Sequence, residues 1–317
     1  MQQKGVALVL VLWVLSLLIV MAGSFALSMR RETSIVSTIK NNAQAMSVAE
    51  SVISIAEMML LNPDLNRAWR ADGRVYELIA LNAKVRIQLT SEGGKIDINK
   101  ADQRLLQGLM AHAPIDEGQQ NKIVGAILDW RDNDDLVNLN GAEKDEYQEA
   151  GLNYLPANKP FQSIEELQLL LGMDKDVFLW IEPLVTVYSG QAQINLQMAS
   201  KEVLQVIPGL DQGLIYSYVS ARLRSAINNQ PPPPFPITSV FNDTSGQNNV
   251  FNLRSEAVLD DHSKATINIV IKKSEENPET PFQVLKWQHV TVNNMTLFTA
   301  KMSDLLVKQY AEPELNN

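Results

Sequence analysis

The chain has 317 residues, 27 Lys and Arg against 36 Asp and Glu, a formal net charge of −9 and no cysteine. The length holds a sizeable core and two units beyond an N-terminal helix, while the acid excess argues against non-specific DNA or RNA binding, which rests on phosphate neutralisation by Lys and Arg. Without cysteine there are no disulfides, thiolate metal sites or cysteine nucleophile, and the isolated His112, His262 and His289 supply no zinc or His-triad pattern.

No charged residue lies between Lys4 and Arg30, and the apolar run Val6–Leu27 is long enough to span a bilayer as a helix. A secretory signal peptide fits poorly, because its apolar core is about 7–15 residues and ends at a small-residue cleavage site. A plain single-pass anchor fits the run but not its continuation. Ile35, Ile39, Ala43, Met46, Ala49, Ile53, Ala56 and Leu60 recur at three- and four-residue spacing, one stripe along a helix that Pro63 would stop. The expectation is one helix from about Val6 to Leu60, its first half in lipid or a fibre core and its second against a globular head.

The five-residue leader ending in Gly5, followed by this helix, resembles the N-terminus of type IV pilins and pseudopilins. That resemblance implies cleavage by a prepilin peptidase between Gly5 and Val6, and N-methylation of Val6. Most members carry Glu at the fifth mature position, which here is Leu10. Gly5-Val6-Ala7-Leu8-Val9-Leu10-Val11-Leu12-Trp13 is similar to the start of the K-type minor pseudopilins of the type II secretion system (general secretion pathway protein K), known for lacking that Glu.

Beyond Pro63, Arg74–Leu81 and Ala83–Leu89 read as strands, with Val85, Ile87 and Leu89 alternating against Arg86 and Gln88. Gly93-Gly94 marks a turn, after which the chain is helix-rich and acidic to about Asn228. A near-repeat brackets this stretch: Ile96-Asp97-Ile98-Asn99-Lys100-Ala101 against Ile194-Asn195-Leu196-Gln197-Met198-Ala199. Each extended piece ends at a helix cap, Asn99 or Asp102 in the first and Ser200 in the second. Leu171-Gly172-Met173-Asp174 and Pro208-Gly209-Leu210-Asp211 each lead into a helix. Such turns occur in helix-hairpin-helix DNA-binding modules, which hold phosphates on helix N-terminal amides. Asp174, Asp176 and Asp211 stand where basic residues would be wanted, favouring a compact turn.

The segment richest in chemistry is Asp129-Trp130-Arg131-Asp132-Asn133-Asp134-Asp135, followed by Gly141-Ala142-Glu143-Lys144-Asp145. Crowded carboxylates repel unless a cation sits among them, and hard oxygen ligands suit Ca²⁺. Counted from Asp132, an EF-hand would place ligands at Asp132, Asp134 and Glu143, but its obligatory glycine position holds Val137. A solvated acidic loop is the bland alternative, and a glycosidase carboxylate pair lacks any substrate-binding signal. The block resembles one in the K pseudopilins, whose helical domain binds calcium. The resemblance implies Asp129, Asp132, Asp134, Asp135, Glu143 and Asp145 as ligand candidates for a structural Ca²⁺.

Ser163 with Glu166 fits a capping box, and Ile181–Val187 runs into a strand-like exit. Pro231–Pro234 reads as a stiff connector, followed by strands at Val250–Val258, Ala265–Ile271 and Phe282–Trp287. The expected fold is α+β. A leader (1–5) precedes the long helix (6–62, transmembrane over 6–27), and a pilin-like antiparallel sheet is built from 63–94 and 237–311. An all-α unit (95–229), similar to SAM or helix-hairpin-helix modules, is inserted in that sheet, and a tail spans 312–317. By resemblance this is a non-enzymatic minor pseudopilin at the tip of the type II secretion pseudopilus. Its head would be periplasmic and its helix in the inner membrane. Its partners would be I- and J-type minor pseudopilins, the major pseudopilin, prepilin peptidase and lipid, with no nucleic acid. The competing reading is a membrane-anchored helix-hairpin-helix DNA-binding protein of an uptake system.

Overall fold

The structure, a computed structural model, describes residues 4–64, 67–80, 83–228, 230–236, 249–274, 279–290 and 296–307. The chain opens with α1 (Lys4–Leu60) and the strands β1 (Asp72–Ala80) and β2 (Ala83–Ser91). A mainly helical stretch follows: β3 (Ile96–Asp97), α2 (Gln103–Met110), α3 (Glu117–Arg131), α4 (Lys144–Glu149), α5 (Lys175–Ile181), β4 (Val185–Thr186), α6 (Lys201–Val206) and α7 (Gln212–Ile227). Then come β5 (Val250–Leu259), β6 (Lys264–Lys273), β7 (Phe282–His289), α8 (Ala300–Ser303) and β8 (Leu306–Val307).

α1 runs for 57 residues, about 86 Å at 1.5 Å per residue. It contains no proline and stops just before Asn62-Pro63. Two halves of this helix differ in surroundings. Among the described residues it is the one helix long and apolar enough to cross a membrane, and its most apolar window is wholly unburied. Burial begins only at Ala45 and follows Ala45, Val48, Ala49, Val52, Ile53, Ala56 and Met59. Ile35 and Ile39, expected in the packed stripe, are 58% and 64% exposed. Ala49, Ile53 and Ala56 of that stripe are buried, so Ile35 and Ile39 are exposed because they lie before the head begins.

The sheet has six strands in the order β7-β6-β5-β2-β1-β8. All its pairings are antiparallel except the short parallel pair of β1 with β8. Alternation sends Val85, Ile87 and Leu89 of β2, Leu253 and Ala257 of β5, and Ile267, Ile269 and Ile271 of β6 into one core with α1. The expected strands are present, each within a few residues of its sequence-derived bounds; α8 and β8 were not foreseen.

The opposite face carries charge. Arg86 lies across from Glu256 in the β2–β5 register, donates to Glu77 at 2.7 Å and to the Leu297 carbonyl at 2.9 Å, and sits 4.7 Å over the Phe298 ring. Glu256 is 1% exposed and accepts from the Thr296 hydroxyl at 2.6 Å and the Leu297 N–H at 2.5 Å. These bonds fasten the segment 296–307 across the sheet.

The helical stretch has its own buried cluster, drawn from β3 through α7. It is helical but for β3 and β4, which pair in parallel with Ile96 opposite Val185. Asp102 and Ser200 cap α2 and α6, while Asp174 and Asp211 cap α5 and α7. Gly172 and Gly209 precede the last two caps at φ of 86° and 84°, a conformation that favours glycine. The two clusters are joined by Lys286 to Glu165 at 2.5 Å, Lys301 to Glu202 at 3.2 Å, and Arg70 to the Gln230 carbonyl at 2.6 Å. The proline connector is held too: Tyr218 donates to the Pro233 carbonyl at 3.2 Å and its ring meets Phe235 edge-on at 4.7 Å.

Replacing Glu256 with Ala leaves the buried Leu297 N–H without an acceptor. The expected cost is about 3 kcal/mol, the upper range for hydrogen bonds to a charged group. Hydrogen exchange should show 296–307 losing protection before the β2–β5 core does; protection unchanged from wild type would remove the clasp assignment.

Candidate functional site

The acidic segment spans the end of α3, the loop that follows and the start of α4. At the end of α3, successive residues project about 100° apart, and three of them take separate tasks. Trp130 is buried against Phe161 at 5.8 Å and donates to Glu166 at 3.3 Å. Arg131 donates to the carbonyls of Ile98 and Ala101 at 2.5 and 2.7 Å, fastening α3 to the loop before α2. Burial holds its guanidinium below the usual arginine range, partly offset by the charges of Asp97, Asp132 and Asp102. Asp129, fully buried, turns into the acidic loop.

There Asp129 Oδ1 accepts from the Asn138 N–H at 3.0 Å and from its side-chain amide at 2.6 Å. The same amide reaches Asp132 Oδ2 at 3.3 Å. Asp134 accepts from the Leu136 N–H at 2.9 Å, and Asn158 spans the Asp134 carbonyl and the Asp135 carboxylate at 3.0 and 2.9 Å. The loop approaches α3 so closely that a Cβ at Gly125 would lie 2.6 Å from the Gly141 nitrogen. A Cβ at Gly141 would lie 1.9 Å from Asp129 Oδ2. Both glycines are therefore steric requirements of the loop.

Four carboxylate oxygens there are buried without a close hydrogen-bond partner: Asp129 Oδ2, Asp132 Oδ1 and both oxygens of Glu143, the Glu143 carboxylate facing the first-turn backbone of α4 in a capping box with Glu146. Burial pushes the Glu143 carboxyl up to about 7, reinforced by the charges of Asp129, Asp132, Asp135 and Asp134. Asp132 is raised as well, by burial and then by Asp134 and Asp129. Unpartnered carboxylate oxygens cost free energy in a low-dielectric site, and a hard cation would offset both the lost hydration and the repulsion. Oxygens of this kind are the chemistry that a hard cation such as Ca²⁺ takes. Among the described residues no three carboxylate or imidazole groups stand ready to hold an ion, so closure requires side-chain movement. Of the six residues singled out, Asp129, Asp132 and Glu143 supply the orphaned oxygens. Asp134 and Asp135 are exposed and hold the loop's frame. Asp145 is exposed in the first turn of α4, where a carboxylate complements the helix dipole.

Asn138, Asn158, Gly125 and Gly141 carry the loop's geometry and were not separated from their neighbours by sequence. Only Gly141, beside Glu143 in the acidic block, offered a signal. The two Gly-hydrophobe-Asp turns have their amides engaged: Asp174 accepts from Val177 at 2.8 Å and Asp211 from Leu214 at 2.9 Å. A phosphate would have to displace these carboxylates. The peptide bond between Gly5 and Val6 lies within α1.

Fold and site together describe a long, half-free apolar helix packed on an antiparallel sheet, with a helical unit carrying an acidic loop between two paired strands. Residues 77–190 match the family model for the type II secretion system, protein K. The chain is similar to type II secretion system protein K of Klebsiella pneumoniae, with 25% identity over 217 residues, 62% of this chain and 66% of that protein. Similarity to the same protein of Dickeya chrysanthemi is 29% over 121 residues, covering 37% of this chain and 31% of the relative. The chain thus spans just under two thirds of the first relative and less of the second. In fold it resembles a chain of the crystal structure of the GspK-GspI-GspJ complex from the type 2 secretion system of enterotoxigenic Escherichia coli. The TM-score is 0.53 at 18% identity, covering 83% of this chain and 99% of that one.

Substituting Gly141 with Ala forces the loop off Asp129. We expect a loss of about 1–3 kcal/mol, typical of overpacking, read as a lower thermal midpoint. A midpoint unchanged by Gly141→Ala would show that the loop relaxes freely and that the close approach is not required.

Proposed function

We propose that the protein is a K-type minor pseudopilin of a type II secretion system, a structural and not a catalytic component. The observation that carries this reading is the pairing of a long helix, buried only from Ala45 onward, with a head whose residues 77–190 match the protein K model. The free half of α1 suits first the inner membrane and then the core of a fibre, with the head in the periplasm. The leader Met1–Gly5 is the segment removed by prepilin peptidase, and Val6 is the residue methylated.

Tip placement follows from two features. Leu10 offers no carboxylate to the amino terminus of a subunit above. The helical stretch between β2 and β5 enlarges the head where such a subunit would stack. Both are tolerable where no such neighbour exists, namely at the end of the fibre. There the chain would join I- and J-type partners, initiate assembly with the major pseudopilin behind it, and support export of folded proteins. Locating the wild-type chain in isolated fibres by immunogold tests this: labelling confined to one end is expected, and random labelling along the shaft contradicts it. Leu10→Glu should still insert in the membrane and should shift some label into the shaft.

Asp129, Asp132 and Glu143 are the residues proposed to hold Ca²⁺, which would supply positive charge to a site otherwise short of it. Asn138 and Asn158 keep the loop in place, and Arg131 fixes the end of α3. An ion bound only by the native state stabilises by mass action, about 2.7 kcal/mol at a hundredfold excess over Kd. Calcium should therefore raise the thermal midpoint of the full chain, and chelator should lower it. The response should vanish in Asp132→Asn combined with Glu143→Gln. A midpoint indifferent to calcium and chelator would remove the metal from this account.

A further inference from the structure

The chain's only Asn-Gly pair, Asn140-Gly141, lies in the acidic loop between α3 and α4. An asparagine before glycine is prone to attack by its own backbone, because the glycine nitrogen has no neighbouring side chain to hinder its approach to the asparagine side-chain carbon. Asn140 is exposed and sits in a turn at a φ of 61°, a left-handed conformation that asparagine tolerates. The peptide bond joining the pair is also the loop's contact with α3. A Cβ at Gly125 would lie 2.6 Å from the Gly141 nitrogen and 2.7 Å from the Asn140 carbonyl carbon. That nitrogen donates to the Asn138 carbonyl at 2.8 Å, and Asn138 is itself tied to Asp129.

We propose that Asn140 is a deamidation site gated by the seating of this loop on α3, a reading independent of the calcium site. In the reaction the Gly141 nitrogen gives up its proton and bonds to Asn140 Cγ, the side-chain nitrogen leaves as ammonia, and a succinimide ring remains. Water then opens either ring carbonyl, giving aspartate or isoaspartate; no oxidant or cofactor is consumed. While the loop is seated, the Gly141 N–H is engaged by Asn138 and its nitrogen is packed against Gly125. It has neither the freedom nor the room to turn on Asn140. Once the loop lifts, the pair is unhindered. Isoaspartate routes the main chain through the former side chain, which adds a methylene before Gly141 and leaves a carboxylate at the carbon that met Gly125. A contact without room for one Cβ accommodates neither. The reaction therefore converts a transient opening of the loop into a permanent one. Aspartate keeps the backbone unchanged and can reseat, adding only charge to a loop already crowded with carboxylates.

Peptide mapping by mass spectrometry in mildly alkaline buffer follows amide loss at each asparagine of the full chain. Unfolded in guanidinium, the chain should convert at Asn140 before any other asparagine. The native chain in detergent should convert there about tenfold or more slowly, because only the locally opened fraction reacts. Gly125→Ala keeps a good helix former in α3 but displaces the loop, and should restore much of the unfolded rate while circular dichroism stays native. Asn138→Ala removes the tie to Asp129 and should accelerate conversion by a second route, which carries the comparison if the first variant does not fold. In aged wild-type protein, the isoaspartate fraction should melt below both the unmodified chain and Asn140→Asp. Equal rates in native and unfolded chains overturn the gate. An asparagine that reacts ahead of Asn140 in the unfolded chain, or native-like protection in the folded variants, also overturns it. An isoaspartate fraction that melts with the unmodified chain overturns the claim that the loop cannot reseat.

Discussion

The packing of one narrow row of α1 against the sheet is the contact on which the rest depends. Ala45, Ala49 and Ala56 let the helix axis approach the strands, while Val48, Val52, Ile53 and Met59 fill the space between the inward residues of β2, β5 and β6. Such burial contributes roughly 1.5–3 kcal/mol for each large side chain removed from water. The same row leaves α1 unburied before Ala45. An unburied apolar surface of that length is stable only in lipid or among other helices. One contact therefore defines both the head and the length of apolar helix left outside it.

The second constraint is topological. β2 and β5 are hydrogen-bonded neighbours, yet the chain between them forms the entire helical stretch. It departs from and returns to one place on the sheet, so the sheet core survives the insertion. The junction is closed by Lys286 with Glu165, Lys301 with Glu202 and Arg70 with the Gln230 carbonyl. The proline connector, pinned to Tyr218, forms part of that closure. Within the helical stretch, Trp130, Arg131 and Asp129 divide one short run among core, brace and acidic loop. The loop can carry unpaired carboxylates because its backbone is secured by neighbours that carry no charge of their own, Asn138 and Asn158.

Much of this was legible in the sequence wherever local chemistry decides. The length of α1 follows from an uninterrupted apolar and amphipathic run ended by Pro63. The strands around Val85, Ile87 and Leu89 follow from alternation, the starts of α2 and α6 from capping side chains, and those of α5 and α7 from the Gly-hydrophobe-Asp turns. What escaped was decided at a distance. Where along α1 the sheet begins to touch it depended on the fold, so the spacing of the stripe did not show that Ile35 and Ile39 lie short of the head. The parallel pairing of β3 with β4 joins residues some ninety positions apart, and β8 pairs with β1 across most of the chain. In the acidic loop the crowding of carboxylates was readable, but not which of them are buried. Its geometry rests on Gly125 and Gly141, whose importance appears only when the loop is seen against α3.

The central claim is that α1 is made to leave the membrane and enter a fibre, which a permanent anchor never does. Mass spectrometry of the N-terminus of the chain purified from membranes tests this most directly. The account predicts a chain that begins at Val6 and carries one methyl group on its amine. A chain that retains Met1–Gly5, or one cut near Ala22–Ala26 as a signal peptide would be, contradicts it.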